Sequence, residues 1–275
     1  MSTLKNTLIN DTGYLTLPSG NTSQRPSPAS TGMIRYNNQT FFCEVYNGSS
    51  WVNFTPQIAA PYATSGLCVY LDAGNTNSYS GSGTAWNDLS GLNNGTTLSG
   101  TYSYGSSPRG YISFGGGKAQ STNMNSWNIP GSGGITVEAW IWWNTFSPGN
   151  FQFFFSDTAA YWRAGIQNGG GFYWNMGNRS DKSSATTPVN TQTWQQLVWT
   201  SNGVTTLIYR NASQVVSAGD SGLATGFSAW ILGQGEGGQY PLSNARMSIF
   251  RLYNRVLSPS EITKNWNYDK SGFGL

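Results

Sequence analysis

The chain has 275 residues, a formal net charge of +3, only 9% charged residues and no histidine. Soluble domains carry about 25% charge, so this surface must be dressed with Ser, Thr, Asn, Gln and Gly, and long charged helices are not expected. The missing histidine excludes Ser-His-Asp and Cys-His catalysis and any His-based zinc site. The absence of a Lys/Arg run argues against a nucleic-acid surface.

Residues 1–15 show no apolar h-region, so no secretory leader is expected, and no stretch is apolar enough for membrane insertion. Residues 13–17 read as one short strand, and 18–31, rich in Pro, Ser and Thr, as an extended loop. A compact three-stranded meander follows over 33–36, 40–46 and 50–54. Asn47-Gly48 between its last two strands is a strong hairpin signal. A piece this small does not stand alone without disulfides, metals or partners. Its apolar residues Met33, Ile34, Tyr36, Phe41, Val45, Tyr46, Trp51 and Phe54 are therefore expected to pack on identical copies or on a host protein.

Residues 56–64 carry two prolines and small residues and read as a linker. The division expected is a β-rich attachment and oligomerisation segment over 1–60, a linker at 61–65, and a larger unit over 66–275. Strands are expected in that unit at 67–71, 111–114, 135–143, 152–156, 162–167, 171–176, 194–201, 205–210, 214–217, 229–233 and 245–253. Their density, their Gly/Asn turns and the lack of helical periodicity predict an all-β, two-sheet sandwich. In 135–143 both faces are apolar, which predicts a central strand covered on both sides, with Glu138 either paired or at the rim of the core. Ser258, Pro259 and Glu261 form a cap signature for one short peripheral helix. Cys43 and Cys68 read as buried small hydrophobes, and no disulfide is expected.

Two groups of residues could bind something. Asp72, Asn75 and Asp88 form an oxygen-rich set suited to calcium as a cofactor; the alternative is that Asp and Asn cap their own turns. Tyr161, Trp162, Tyr173 and Trp174 flank Gly-rich turns, with Asn175, Asn178 and Arg179 as hydrogen bonders. Aromatics on a polar β surface stack on pyranose rings; the alternative is that they are core. Trp230 and Tyr240 are weaker candidates. Gly115 to Gly117 and Gly169 to Gly171 precede no helix and are followed by no Gly-Lys-Ser/Thr, so they read as turns rather than phosphate loops.

Two stretches resemble known families. Residues 24–54, with Gly32-Met33-Ile34-Arg35-Tyr36-Asn37, Glu44-Val45-Tyr46-Asn47-Gly48 and Trp51, resemble a segment of tailed-bacteriophage structural proteins. The second stretch, 66–268, is similar to concanavalin A-like, laminin-G-type domains. It matches at 66–96, at ITVEAWI (135–141), at TWQQLVWTSNG (193–203), at ILGQG (231–235) and at MSIFRLYNRVLSPSEI (247–262). The resemblance implies a concanavalin A-like (laminin-G-type) jelly-roll β-sandwich. The first resemblance, at 24–54, implies a virion location after assembly in the host cytoplasm, as a tail-fibre, appendage or capsid-decoration subunit. The expected partners are the chain itself, as a homotrimer, other virion proteins through residues 1–60, and a host-surface glycan. Glucanases of this fold carry Glu-x-Asp-x-Glu on one strand; here Glu138 stands between Val137 and Ala139 with no acidic neighbour. The chain is therefore expected not to be an enzyme, the alternative being a polysaccharide depolymerase.

Overall fold

The computed structural model describes residues 16–54, 60–121, 133–146, 151–158, 162–177, 181–185, 188–220, 222–223, 227 and 229–275. The chain divides into two compact units, 1–59 and 60–275. The predicted strand at 13–17 falls mostly outside the described residues.

The first unit is a four-stranded sheet of β1 (Ser19–Gly20), β2 (Ile34–Asn37), β3 (Phe42–Tyr46) and β4 (Trp51–Asn53), in that order. The β3–β4 hairpin closes as its sequence predicts, with the Asn47 side-chain oxygen accepting the amides of Ser49 and Ser50, both at 2.9 Å. The pleat sorts its side chains in an unusual way. On one parity the charged and polar residues Arg35, Asn37 and Glu44 are buried. Glu44 accepts from Arg25 Nη2 at 2.6 Å and from Asn37 Nδ2 at 3.2 Å, with Arg35 Nε 3.3 Å away. The Arg25 guanidinium holds the Glu44 carboxyl below the usual carboxylate range. The other parity is apolar. Ile34 pairs with Val45, Tyr36 with Cys43 and Val45 with Val52, and Ile34, Val52 and Phe54 are more than a third exposed. Of the residues expected at an interface, Ile34, Tyr36 and Val45 thus share one face. Tyr46 and Trp51 meet at 5.6 Å with their rings tilted by 54°, and Phe41 sits exposed in the β2–β3 turn.

The second unit contains β5 (Leu67–Asp72), β6 (Ala85–Trp86), β7 (Thr96–Ser99), β8 (Tyr102–Gly105), β9 (Tyr111–Gly115), β10 (Lys118–Gln120), β11 (Ile135–Trp143), β12 (Gln152–Asp157), β13 (Trp162–Ile166), β14 (Phe172–Met176), β15 (Lys182–Ser184), β16 (Gln195–Ser201), β17 (Thr205–Arg210), β18 (Ser213–Gly219), β19 (Trp230–Leu232) and β20 (Ser243–Tyr253). They form two antiparallel sheets stacked as a jelly-roll sandwich. One runs β18-β17-β16-β11-β20-β9-β8, and the long β20 also pairs with β5 along its second half. The other runs β15-β14-β13-β12-β19-β10-β7-β6.

Between the sheets lies an aromatic core. In the second sheet Trp174, Ala164, Phe155, Leu232, Ala119 and Leu98 are successive cross-strand partners, all buried. They meet Val137, Ala139, Ile141, Leu197 and Trp199 of the first sheet in one continuous cluster. Each large side chain buried there contributes about 1.5–3 kcal/mol.

The first sheet is covered on its other face too, as the sequence of β11 requires. Its cover is helix α1 (Pro259–Asp269), whose Ser258 cap and Glu261 partner form the expected capping box. The helix is not peripheral: Ile262, Asn265 and Asp269 are buried. Trp140 lies flat between Trp266 and Phe273, at 5.1 and 4.1 Å. Glu138 is paired, accepting from Arg251 Nη1 at 3.1 Å, Gln196 Nε2 at 2.8 Å and Asn265 Nδ2 at 2.6 Å. Arg251 also binds Asp269 through both terminal nitrogens, at 2.6 and 3.0 Å. Residues 61–65, expected as linker, pack onto this layer: Ala63 N donates to Asn265 at 2.8 Å and Tyr253 donates to the Ala63 carbonyl at 3.2 Å. Both cysteines are free, Cys68 buried and Cys43 half-buried.

Candidate functional site

The second sheet has no α-helix over its outer face among the described residues, and the register lays a mostly polar row across it. Asn175, Arg163, Ser156, Ile231, Gln120 and Thr97 are successive cross-strand partners one step from the core row. A strand pleat sends alternate side chains to opposite faces, so a buried row dictates an outward neighbour. Toward one end of the row a groove of about 350 Å³ is lined by Lys118, Gln120, Thr158, Ile231, Gln234 and Glu236, with Gly237 and Gly238 at its lip. The loop that forms the lip is tied to the sheet by Ser156 Oγ, which donates to the Gln234 carbonyl at 3.1 Å.

Arg163 organises the middle of the face. It is ion-paired with Glu236 and lies 3.6 Å from Asp181. Burial works against its charge, and the hydrogen bonds to Glu236 and Tyr173 outweigh that, raising its pKa above the ordinary guanidinium value. Its guanidinium also sits 5.5 Å over the Phe153 ring. Phe153 stacks on Tyr173 at 5.1 Å, and Phe151 and Tyr240 close the cluster at 4.6 Å from Tyr173 and 5.3 Å from Phe153. Gly165, between Phe153 and Tyr173 in the register, makes the stack possible. A Cβ there would come within 2.8 Å of the Phe153 ring. Burial pushes the Tyr173 hydroxyl pKa up, and its hydrogen bond with Asp181 adds to this.

The residues expected to bind sugar divide accordingly. Tyr173 and Asn175 are on this outer face, packed rather than protruding, with Asn175 Nδ2 donating to Asp181 at 3.1 Å. Trp162 and Trp174 have the opposite parity and point into the core, as does Trp230, so none is a stacking platform here. Tyr161, Asn178 and Arg179 lie outside the described residues. Tyr240 joins the aromatic cluster. Sequence reasoning missed Lys118, Gln120, Arg163, Gln234 and Glu236, which come from segments far apart in the chain; the Glu set among glycines at 235–238 was the one local signal.

Asp72, Asn75 and Asp88 behave as turn caps. The Asp72 carboxylate is ion-paired with Arg109 and accepts the Gly74 amide at 2.8 Å. Asp88 accepts the amides of Tyr70, Ser90 and Asn94 at 2.8–2.9 Å, and Asn75 accepts that of Asn77 at 3.0 Å. Among the described residues no three acidic or thiol side chains cluster as metal ligands. No helix among them is long and apolar enough to cross a membrane.

A family model described as the concanavalin A-like lectin/glucanases superfamily matches residues 114–263. Domain 4 of a GH43 extracellular arabinanase from Geobacillus stearothermophilus, solved in complex with arabinotriose, superposes with a TM-score of 0.56 at 15% identity over 72% of this chain and 97% of that one. The receptor-binding domain of botulinum neurotoxin C/D mosaic serotype gives 0.58 at 17% over 74% of this chain; the chain spans about half of that domain, 52%. Trypanosoma rangeli sialidase, in complex with the inhibitor DANA, gives 0.56 at 15%, covering 79% of this chain and 35% of that one. These likenesses establish a shared fold. A sequence comparison with curated proteins finds no match.

Proposed function

Since the chain belongs to the concanavalin A-like lectin/glucanases superfamily, we propose that its sandwich binds carbohydrate in the groove across the outer face of the second sheet. The groove carries this reading. Lys118, Gln120, Gln234 and Glu236 offer donors and acceptors to sugar hydroxyls around an apolar floor at Ile231. A few polar groups convergent on a small cleft of this kind are the ordinary make-up of a ligand site. The arabinanase domain of the same fold, solved with arabinotriose, supports the ligand class. A depolymerase is the weaker reading. A retaining glycosidase needs two carboxyl groups about 5–5.5 Å apart with the sugar bond between them, whereas here a guanidinium lies between Glu236 and Asp181.

The test is a glycan array of bacterial surface polysaccharides probed with the full chain, followed by titration of the best ligand. Gln120→Ala and Lys118→Ala weaken binding about tenfold each, the loss of roughly one hydrogen bond to a sugar, and leave the thermal midpoint in place. Binding untouched by both, or a blank array, counts against the groove.

The first unit is read as the mount that holds the sandwich on a virion, as a fibre, appendage or capsid-decoration subunit used for host attachment or particle decoration. Two things support this: the phage-like run at 24–54, and a sheet that buries its charges and leaves Ile34, Val52 and Phe54 outside. Such a face is satisfied by burial against identical copies, and a homotrimer is the expected assembly. Light scattering on the full chain checks it, and a monomer at micromolar concentration refutes it. An electron-microscopy map of the particle locates the subunit.

A further inference from the structure

A second cleft lies on the other sheet, beside the end of β5 and the C-terminal half of α1. We propose that it is a separate carbohydrate site that takes one neutral sugar residue. Its volume is about 490 Å³, and its lining includes Tyr62, Tyr70, Asp72, Asn75, Arg109 and Tyr268. A cleft of this size is within the ordinary range for small-molecule sites and admits a sugar ring.

The lining combines the two elements that sugar recognition needs. The first is a fixed polar floor. Asp72 and Arg109 are ion-paired, and Tyr70 donates to Asp72 Oδ2 at 3.3 Å. The Asp72 carboxylate is itself all but buried and both its oxygens are taken, so the Arg109 guanidinium, 23% exposed, presents the donors that meet sugar hydroxyls. The floor is rigid by construction. Asp72 is held by the Gly74 amide at 2.8 Å, and Gly74 lets the Arg109 side chain pass, since a Cβ there would sit 2.8 Å from Arg109 Cγ. The second element is an aromatic wall. Tyr62 meets Tyr70 at 5.1 Å and Tyr268 at 5.3 Å, and Arg251 anchors Tyr62 and Tyr70 from below at 5.2 and 4.4 Å. Tyr268 is 43% exposed, a ring presented to solvent at the mouth of a polar cleft.

Charge selects the ligand class. Among the lining residues the one acid and the one base neutralise each other, so the cleft offers no surplus charge to a sialic acid, uronic acid or phosphate. This site takes the ligand class proposed for the groove but shares no residue with it, so either can fail alone.

The experiment is saturation-transfer NMR on the full chain. The probes are methyl glycosides of glucose, galactose, mannose and arabinose at roughly 1–20 mM, the range for single-sugar affinities, with methyl glucuronide as the charged control. At least one neutral glycoside gives a signal. It is lost, or weakened about tenfold, in Tyr268→Ala and in Asn75→Trp, which fills the cleft, and is kept in Gln120→Ala. Unchanged thermal midpoints show that both variants fold. No signal from any neutral glycoside, a signal indifferent to both cleft variants, or preference for the glucuronide overturns the proposal. A signal lost in Gln120→Ala alone overturns it too, and assigns the sugar to the groove.

Discussion

Arg251→Met tests how the helix-covered face of the first sheet is held. Arg251, Glu138 and Asp269 all have fully buried side chains. The substitution removes three hydrogen bonds from the guanidinium and the one positive charge facing two buried carboxylates. Removing one partner of a buried pair costs about 3–5 kcal/mol, and two stranded carboxylates put this case at the upper end. In a unit of this size each kcal/mol moves the midpoint by about 2–4 °C, so the loss is roughly 10–20 °C. Burial already raises the Glu138 pKa in the native protein, while Arg251 pulls it back down. A raised carboxyl pKa means that the folded state holds its proton more tightly than the unfolded one. Its stability contribution is full below the unfolded value of 4.5 and declines as pH rises through the folded value. Without Arg251 that folded value moves higher, so the penalty is largest at pH 7 to 8 and shrinks toward pH 5. Urea unfolding followed by tryptophan fluorescence reads it, because Trp51 is the one tryptophan of 12 before residue 60. A loss under about 1 kcal/mol at pH 7.5, or an equal loss at pH 5, refutes this account of the triad.

Three further outcomes are expected. Trp199→Ala removes a fully buried ring in contact with Phe154 and Phe172, at 4.9 and 5.6 Å, and costs about 3–5 kcal/mol by denaturant titration. Arg255, assisted by the Ser258 cap, holds the Glu261 carboxyl at about 2; an NMR titration finds that midpoint and sees it return toward 4.5 in Arg255→Met. This pairing stabilises the fold above the ordinary carboxyl range and is lost as pH falls toward 2. Burial pushes the Cys68 thiol up to about 11, so a thiol reagent at pH 8 modifies Cys43 in the native protein and Cys68 only after unfolding.

Local sequence carried the strands that bury both faces. In β11 apolar residues on both parities announce a central strand, and Ser258, Pro259 and Glu261 announce the helix start, because pleat and cap act within a few residues. The strands Thr96–Ser99, Lys118–Gln120 and Lys182–Ser184 were not legible. They are short and polar, and are strands only because a neighbour supplies the hydrogen bonds. Parity was the other hidden quantity. Phe172–Met176 is rich in aromatics on both alternations, so the sequence could not say that Tyr173 faces out while Trp174 faces in. The same holds for Arg163 and Glu236, seventy-three positions apart and joined only because β12 and β19 bring their segments together. Composition and local alternation together determined an all-β chain without histidine chemistry, since that depends only on which residues are present and how they alternate. The groove, the aromatic stack and the tyrosine-walled cleft were decided by tertiary structure, because register between distant strands chooses which of two parities meets solvent.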